Sequence, residues 1–224
     1  MMQITKFLFI LFSFLLNSHS LHAITYTEQE FKQDLLSPYK NESSKLVLAV
    51  GGGMTLGMIL LRPNFVDQIQ EDMAESKPLG SSAVIGDYSG QWIPNIGYAA
   101  YQFFFEGDSG YSRASLMARA SLFAGGTTFF LKRLYNEKRP SGGDRLSFPS
   151  GHATTAFAFA GVIWREHPKY KWYAMALATL VGASRMNDDA HYLHDVTMGA
   201  TIGLAYSLAL PKYGSKNNKI SFIP

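Results

Sequence analysis

The chain contains no cysteine. That excludes disulfides, thiol catalysis and cysteine-held zinc or iron–sulfur centres. Charge is also scarce: Asp, Glu, Lys and Arg make up 17% of the residues, against 47% hydrophobic. The usual charged share is about a quarter, so much of the 224-residue chain is buried or meets something apolar. The net charge is only +3, with no basic stripe, so a nucleic-acid partner is not expected. A phosphorylated substrate or an anionic membrane surface is compatible with that balance. Strand-like alternation of useful length is missing, and so are internal repeats.

What is present is a series of apolar, small-residue-rich stretches separated by turn-forming residues. Lys6 precedes the apolar run Phe7–Leu16, a polar stretch to His22 and then Ala23. This is the order of a secretory signal peptide, with an uncleaved anchor as the alternative. Residues 1–23 are therefore read as a signal peptide or N-terminal anchor. Residues 24–224 are read as one helical domain, which is within the size of a single core. Helices are expected over Leu46–Leu61, Trp92–Phe105, Ser115–Leu131, Ala153–Trp164, Trp172–Ala183 and Val196–Leu210, with a short surface helix near Val66–Glu75. Gly51–Gly53 reads as helix packing or a kink. No strand and no following Lys-Ser/Thr accompany it, as a nucleotide loop requires. The six stretches are shorter than the ~20 residues of a membrane span, and the mean hydropathy of the whole chain is −0.01. Whether they cross a membrane is left open. An exported site also needs an even number of crossings before Lys132 if the N-terminus is cleaved.

Three segments carry chemistry. Lys132 and Arg139 are about two helical turns apart, so one helix would set both cations on one face, ending before Pro140. In Pro149-Ser150-Gly151-His152, Ser150 is a helix N-cap. The amides of that helix start suit an anion, and the small pair lets a phosphate approach the backbone. In the third segment Arg185 follows Ser184, and His191 stands four residues before Asp195. A helix there would bring imidazole and carboxylate together, fixing the tautomer and activating the other ring nitrogen. Taken singly, each has an ordinary reading: snorkelling cations, a helix cap, a surface His–Asp pair. Together they offer three cations, two histidines and a carboxylate to one phosphoryl group, a set that works by charge stabilisation and proton transfer. Asp188, Asp189, His191, His194 and Asp195 are of metal-ligand type but lack a known zinc spacing, so no metal and no cofactor is expected. His167 and His194 read as surface residues, Tyr192 and Trp172 as core or interface aromatics.

The pattern Lys-x6-Arg-Pro, Pro-Ser-Gly-His, Ser-Arg-x5-His-x3-Asp resembles the type 2 phosphatidic acid phosphatase and vanadium haloperoxidase superfamily, with eleven motif positions matched in order between Lys132 and Asp195. The resemblance implies an all-α helical bundle of that type, with about six core helices and the option of membrane embedding. It implies that His191 attacks phosphorus to give a phosphohistidine, that Asp195 orients and activates it, and that His152 is the acid for the leaving group. Lys132, Arg139, Ser150, Gly151 and Arg185 would hold the phosphate. The residues alone do not say which histidine attacks.

The leading expectation is a metal-independent phosphatase for a lipid phosphate or diphosphate monoester, associated with a membrane and exported, with its site facing the periplasm. A soluble, broad-specificity periplasmic acid phosphatase acting on small phosphate esters is the first alternative. A vanadate-dependent haloperoxidase is a remote one, and a membrane protein with a relic site is the non-enzymatic one. The oligomeric state is not readable from the residues.

Overall fold

A computed structural model of the chain describes residues 28–212. The signal-peptide reading of residues 1–23 lies outside them. The chain divides into two units, residues 1–33 and 34–224. The first is described only from Glu28, the start of helix α1 (Glu28–Leu36). All three chemical segments belong to the second.

All the regular structure among the described residues is helical, with no strand. After α1 come α2 (Glu42–Leu60), α3 (Val66–Ser76), α4 (Ala83–Ser89), α5 (Ile93–Phe105), α6 (Gly107–Tyr135), α7 (Gly151–Glu166), α8 (Lys171–Asn187) and α9 (Leu193–Ala209). Local chemistry sets several boundaries. Asn41 caps α2, its side chain accepting from the Ser44 amide, a bond that satisfies an otherwise orphan donor. Gly107 takes φ +60°, a conformation glycine reaches without a Cβ penalty, and so separates α5 from α6.

The expected helices are present, with three differences. α6 extends well beyond Ser115–Leu131 at both ends. α4 lies in a stretch where no helix is expected from the residues. The third concerns the first motif: α6 stops at Tyr135, because Asn136 adopts the left-handed conformation, φ 50°, and its N–H closes onto the Lys132 carbonyl. Asn is one of the few residues that tolerate this cap. Lys132 is therefore helical, Arg139 is not, and the two do not share a helix face.

At the centre, α9 packs against α7 and α2, and α7 packs in turn against α6 and α8. Small residues make the α7–α9 crossing close. A Cβ on Gly203 would lie 2.4 Å from the Thr154 carbonyl oxygen. The larger side chains fill the gap with α6: Leu116, Met117, Val162, Ile202 and Leu210 form one buried cluster. Arg119, which interrupts the apolar α6 stretch, is buried and donates to Asp34 at 2.8 Å and to the Pro211 carbonyl at 2.6 Å, so its charge is compensated as burial demands. Of the glycine triplet, Gly51 abuts Thr201 on α9, whereas Gly52 and Gly53 have no neighbour where a Cβ would stand. Only the first is explained by packing.

The outer surface is unusually apolar. Leu46, Val50, Met54, Leu56 and Leu60 of α2 are exposed, as are Phe104 and Phe105 of α5, Phe129 and Phe130 of α6, and Trp172 and Tyr173 of α8. α2 is long and apolar enough to cross a membrane and is mostly uncovered by protein. Exposed apolar areas of this kind mark contact with a membrane or another protein.

Candidate active site

The three motif segments converge at one end of the bundle. Lys132 comes from the last turn of α6, Arg139 from the loop after it, Ser150, Gly151 and His152 from the start of α7, and Arg185 from the last turn of α8. His191 sits in the short α8–α9 connection and Asp195 in the first turn of α9. His191 is thus not helical, contrary to the i, i+4 helix expected. The pair nevertheless forms, with His191 Nδ1 at 3.4 Å from Asp195 Oδ2. Nδ1 is not aligned for a hydrogen bond there; such contacts tighten when a substrate is in place.

Asp195 is completely buried and heavily bonded. Its Oδ2 accepts from Ser147 Oγ at 2.6 Å and from the Tyr192 amide at 2.9 Å, and its carbonyl accepts from the Ser150 amide at 3.0 Å. The last bond ties the second motif to the third. On the other side of the His191 ring, Arg139 Nη1 lies 3.2 Å from Nε2. A guanidinium only donates, so Nε2 is the acceptor and the ring proton belongs on Nδ1, toward Asp195. Burial, opposed by Asp195 and reinforced by the charges of Lys132 and Arg139, pushes the His191 pKa down to about 4. Its Nε2 lone pair is therefore unprotonated at neutral pH.

Ser150 caps α7 as expected: its hydroxyl accepts from the Ala153 amide at 3.4 Å. The first amides of a helix have no intrahelical acceptor, so the Gly151 and His152 N–H groups are aimed out of the helix start. Lys132 runs alongside. Its Cε would lie 3.9 Å from a Cβ on Gly151, and its Nζ donates to the Leu146 and Ser147 carbonyls at 2.5 and 3.1 Å. Arg139 is steered by Asp144, whose Oδ1 takes Nε at 2.7 Å, and by the Ala190 carbonyl at 2.9 Å. The hydrogen bond from Arg139, with that from the Leu146 amide, holds the exposed Asp144 carboxyl below its ordinary range.

The His152 side of the site contains a residue that the sequence reading missed. Asp87 of α4 places Oδ1 at 2.6 Å from Arg185 Nη1 and 3.1 Å from His152 Nε2. One carboxylate oxygen thus bridges a cation of the third motif and the histidine of the second. α4 docks closely enough for this because glycine faces both motifs: a Cβ on Gly86 would stand 2.2 Å from Ser184 Oγ, and one on Gly90 would stand 2.8 Å from His152 Cβ. Thr155 Oγ1 also donates to the Gly90 carbonyl. The sequence signal was a glycine at each end of Gly86-Asp87-Tyr88-Ser89-Gly90, which reads first as loop punctuation. Arg185 completes its shell with Asp188 at 2.7 Å.

His194, expected at the surface, is almost fully buried. Its Nε2 lies 3.2 Å from both Glu137 oxygens and 3.3 Å from Asp195 Oδ1. The Glu137, His194 and Asp195 ligand atoms fall within 4.8 Å of one another, a grouping that could hold a cation. Arg62 Nη1, at 2.5 Å from Glu137, already brings positive charge to it. Asp188 and Asp189 are not part of that group. His167 is half-buried against the Tyr98 hydroxyl at 2.9 Å, away from the motif residues. Trp172 is exposed and meets Trp164 edge-on.

A family model described as the PAP2 superfamily matches residues 46–219. The chain belongs to the PAP2 superfamily. Among curated relatives, a lipid A 1-phosphatase of Rhizobium johnstonii is 30% identical over 142 residues, covering 50% of this chain and 58% of that protein. A lipid A 1-phosphatase of Porphyromonas gingivalis is 36% identical over 77 residues, covering 33% of this chain and 17% of that protein. The chain thus spans at most 58% of the length of these two relatives. In three dimensions it is similar to the crystal structure of Aquifex aeolicus LpxE, with a TM-score of 0.55 and 21% identity, over 64% of this chain and 92% of that one. That likeness supports the all-helical PAP2 fold.

Proposed function

We propose that this chain is a phosphatase that hydrolyses a lipid phosphate or diphosphate monoester through a phosphohistidine at His191. The observation that carries the reading is the pair of contacts on the His191 ring, Asp195 on Nδ1 and Arg139 on Nε2. They leave one unprotonated nitrogen pointing at a cation, which is the arrangement for attack on an anionic phosphorus centre.

The proposed steps use these contacts. A phosphate monoester displaces the Arg139 N–H from Nε2 onto its own oxygens, with Arg185, Lys132 and the Gly151 and His152 amides as further donors. The Nε2 lone pair forms the N–P bond as the P–O bond to the leaving group breaks, and His152 gives its proton to that oxygen. Asp195, fixed by Ser147 and the Tyr192 amide, compensates the positive charge that develops on the ring. Water then attacks phosphorus, His152 takes its proton, and the N–P bond breaks to release phosphate. Asp87 stands where it favours the protonated form of His152.

The lipid substrate is supported by the exposed apolar faces of α2, α5, α6 and α8 and by the names of the two relatives. A membrane-associated enzyme follows, with α2 as its crossing segment. Placement of the site on the periplasmic side rests on the N-terminal signal-like run. The testing experiment is a phosphate-release panel in detergent micelles. Phosphorylated lipids should be cleaved far faster than soluble esters, and His191→Ala should lose more than about a thousandfold of that activity. Faster cleavage of soluble esters would instead favour the acid-phosphatase reading, and full activity in His191→Ala would remove the mechanism.

A further inference from the structure

The Asp195 carboxylate is held unevenly. Its Oδ2 takes the Ser147 hydroxyl at 2.6 Å and the Tyr192 amide at 2.9 Å, and it is the oxygen that faces His191 Nδ1. Its Oδ1 is buried and has no hydrogen-bond partner among the described residues. A buried carboxylate oxygen without a donor is costly and calls for a physical reason. The donor group that stands beside it, at 3.3 Å, is His194 Nε2. The same nitrogen lies 3.2 Å from both Glu137 oxygens. Ionised carboxylates only accept, so Nε2 carries a proton, and this N–H is flanked by two acidic groups. His194 Nδ1 has no hydrogen-bond partner among the described residues that would draw the proton there.

The surroundings of the ring fix its plane. Tyr192 stacks on it at 5.4 Å and 11°, and Phe148 at 6.0 Å and 28°. A small movement within that plane is enough to turn the N–H from Glu137 to Asp195. Arg62 reaches Glu137 at 2.5 Å and covers the Tyr192 ring at 4.1 Å. Its charge weakens Glu137 as the competing acceptor, which leaves the N–H available to Asp195. A metal ion among the three residues would have to displace both that proton and the Arg62 contact. Resting on the phosphatase reading, we propose that His194 is a positioning residue, whose Nε2–H donates to Asp195 Oδ1 when a phosphoryl group is on His191. With both oxygens bonded, the carboxylate does not rotate, and Oδ2 stays on His191 Nδ1. That orientation sets the His191 tautomer. His194 acts through Asp195 and makes no contact with phosphorus.

The test is kinetic and spectroscopic, on the full-length protein in detergent micelles. His194→Phe keeps a stacking ring and removes the donor. On a phosphorylated lipid it should lower kcat by about ten- to a hundredfold, the range for one hydrogen bond to a charged group. KM should stay within about twofold of wild type. His194→Gln, whose amide restores an N–H, should regain most of the loss. Added to Asp195→Asn, His194→Phe should cost less than about twofold more, because the two residues act as a unit. An unchanged kcat in His194→Phe, or an additive loss in the double variant, would overturn the proposal. Activity lost to a chelator and restored by added zinc would assign the three residues to a cation and overturn it as well. Nitrogen-15 NMR of histidine-labelled protein needs no turnover. Wild type should show His194 protonated at Nε2 and His191 at Nδ1, with the two signals assigned through His194→Gln and His191→Ala. In His194→Phe the His191 signals should show exchange between tautomers. A wild-type His194 protonated only at Nδ1 would contradict the proposal, and this reading holds even where His194→Phe fails to fold. If wild type releases phosphate from no amphiphile, the phosphatase reading fails while the tautomer signals still decide the role of His194.

Discussion

The two histidines of the site sit in opposite surroundings. His191 is only 3% exposed, clamped between a buried aspartate and an arginine, and its pKa is driven down to about 4. The His152 side chain is 31% exposed and meets a half-buried carboxylate from α4, a helix outside the three motifs. Its pKa is also lowered, by burial and then by Arg185, but Asp87 opposes that shift. The contrast matches the two tasks proposed for them. An attacking nitrogen must be neutral and rigidly aimed. A proton donor must keep its proton and reach leaving groups of different shapes, which suits an open flank.

The largest effect should come from breaking the rigid side. Asp195→Asn removes the charge behind His191 and should lower kcat by about a hundred- to ten-thousandfold in phosphate-release assays. A loss no greater than that of a surface substitution would mean that Asp195 only holds the fold. On the open side, His152→Ala should cost about a hundredfold on an alkyl phosphate, whose leaving oxygen needs a proton. The loss should be much smaller on an aryl phosphate with an acidic leaving group. Equal losses on both would assign His152 to phosphate binding instead.

The smallest effect sharpens the comparison through pH. The proposed mechanism needs His191 unprotonated and His152 protonated. The profile of kcat/KM should therefore rise as pH increases through about 4, where His191 loses its proton. It should fall again below the ordinary histidine value of about 6.5, where His152 does. Asp87→Asn removes the carboxylate that favours protonated His152 and should move the alkaline limb to lower pH while leaving the acid limb in place. Movement of the acid limb alone would place Asp87 with the wrong histidine.

The rigid half was far more legible in the sequence than the open half. His191, Asp195, Arg139 and Lys132 have fixed spacings within short segments, and the fold brings them together even though the helices expected to do so are interrupted. Asn136 ends α6 early, yet the following loop still carries Arg139 to His191, so the spacing survived a wrong local structure. Asp87 could not be read, because its contact depends on how α4 docks, and the glycines that permit the docking resemble turn punctuation. His194 was misjudged for a related reason: burial of a histidine depends on distant partners, here Glu137, that no local pattern reveals. The helical architecture was visible in the apolar stretches. The exposed faces of α2 and α5 were not, since a stretch of apolar residues looks the same whether it is covered by protein or by lipid.

The proposed mechanism requires His191 to be the group that is phosphorylated. Alkaline-quenched mass spectrometry of the protein during turnover of a phosphorylated lipid tests this directly. One phosphoryl group on the peptide containing His191, absent from Asp195→Asn protein quenched in parallel, is the predicted result. A phosphoryl group on His152, or net inversion of configuration at phosphorus with no trapped intermediate, would contradict it.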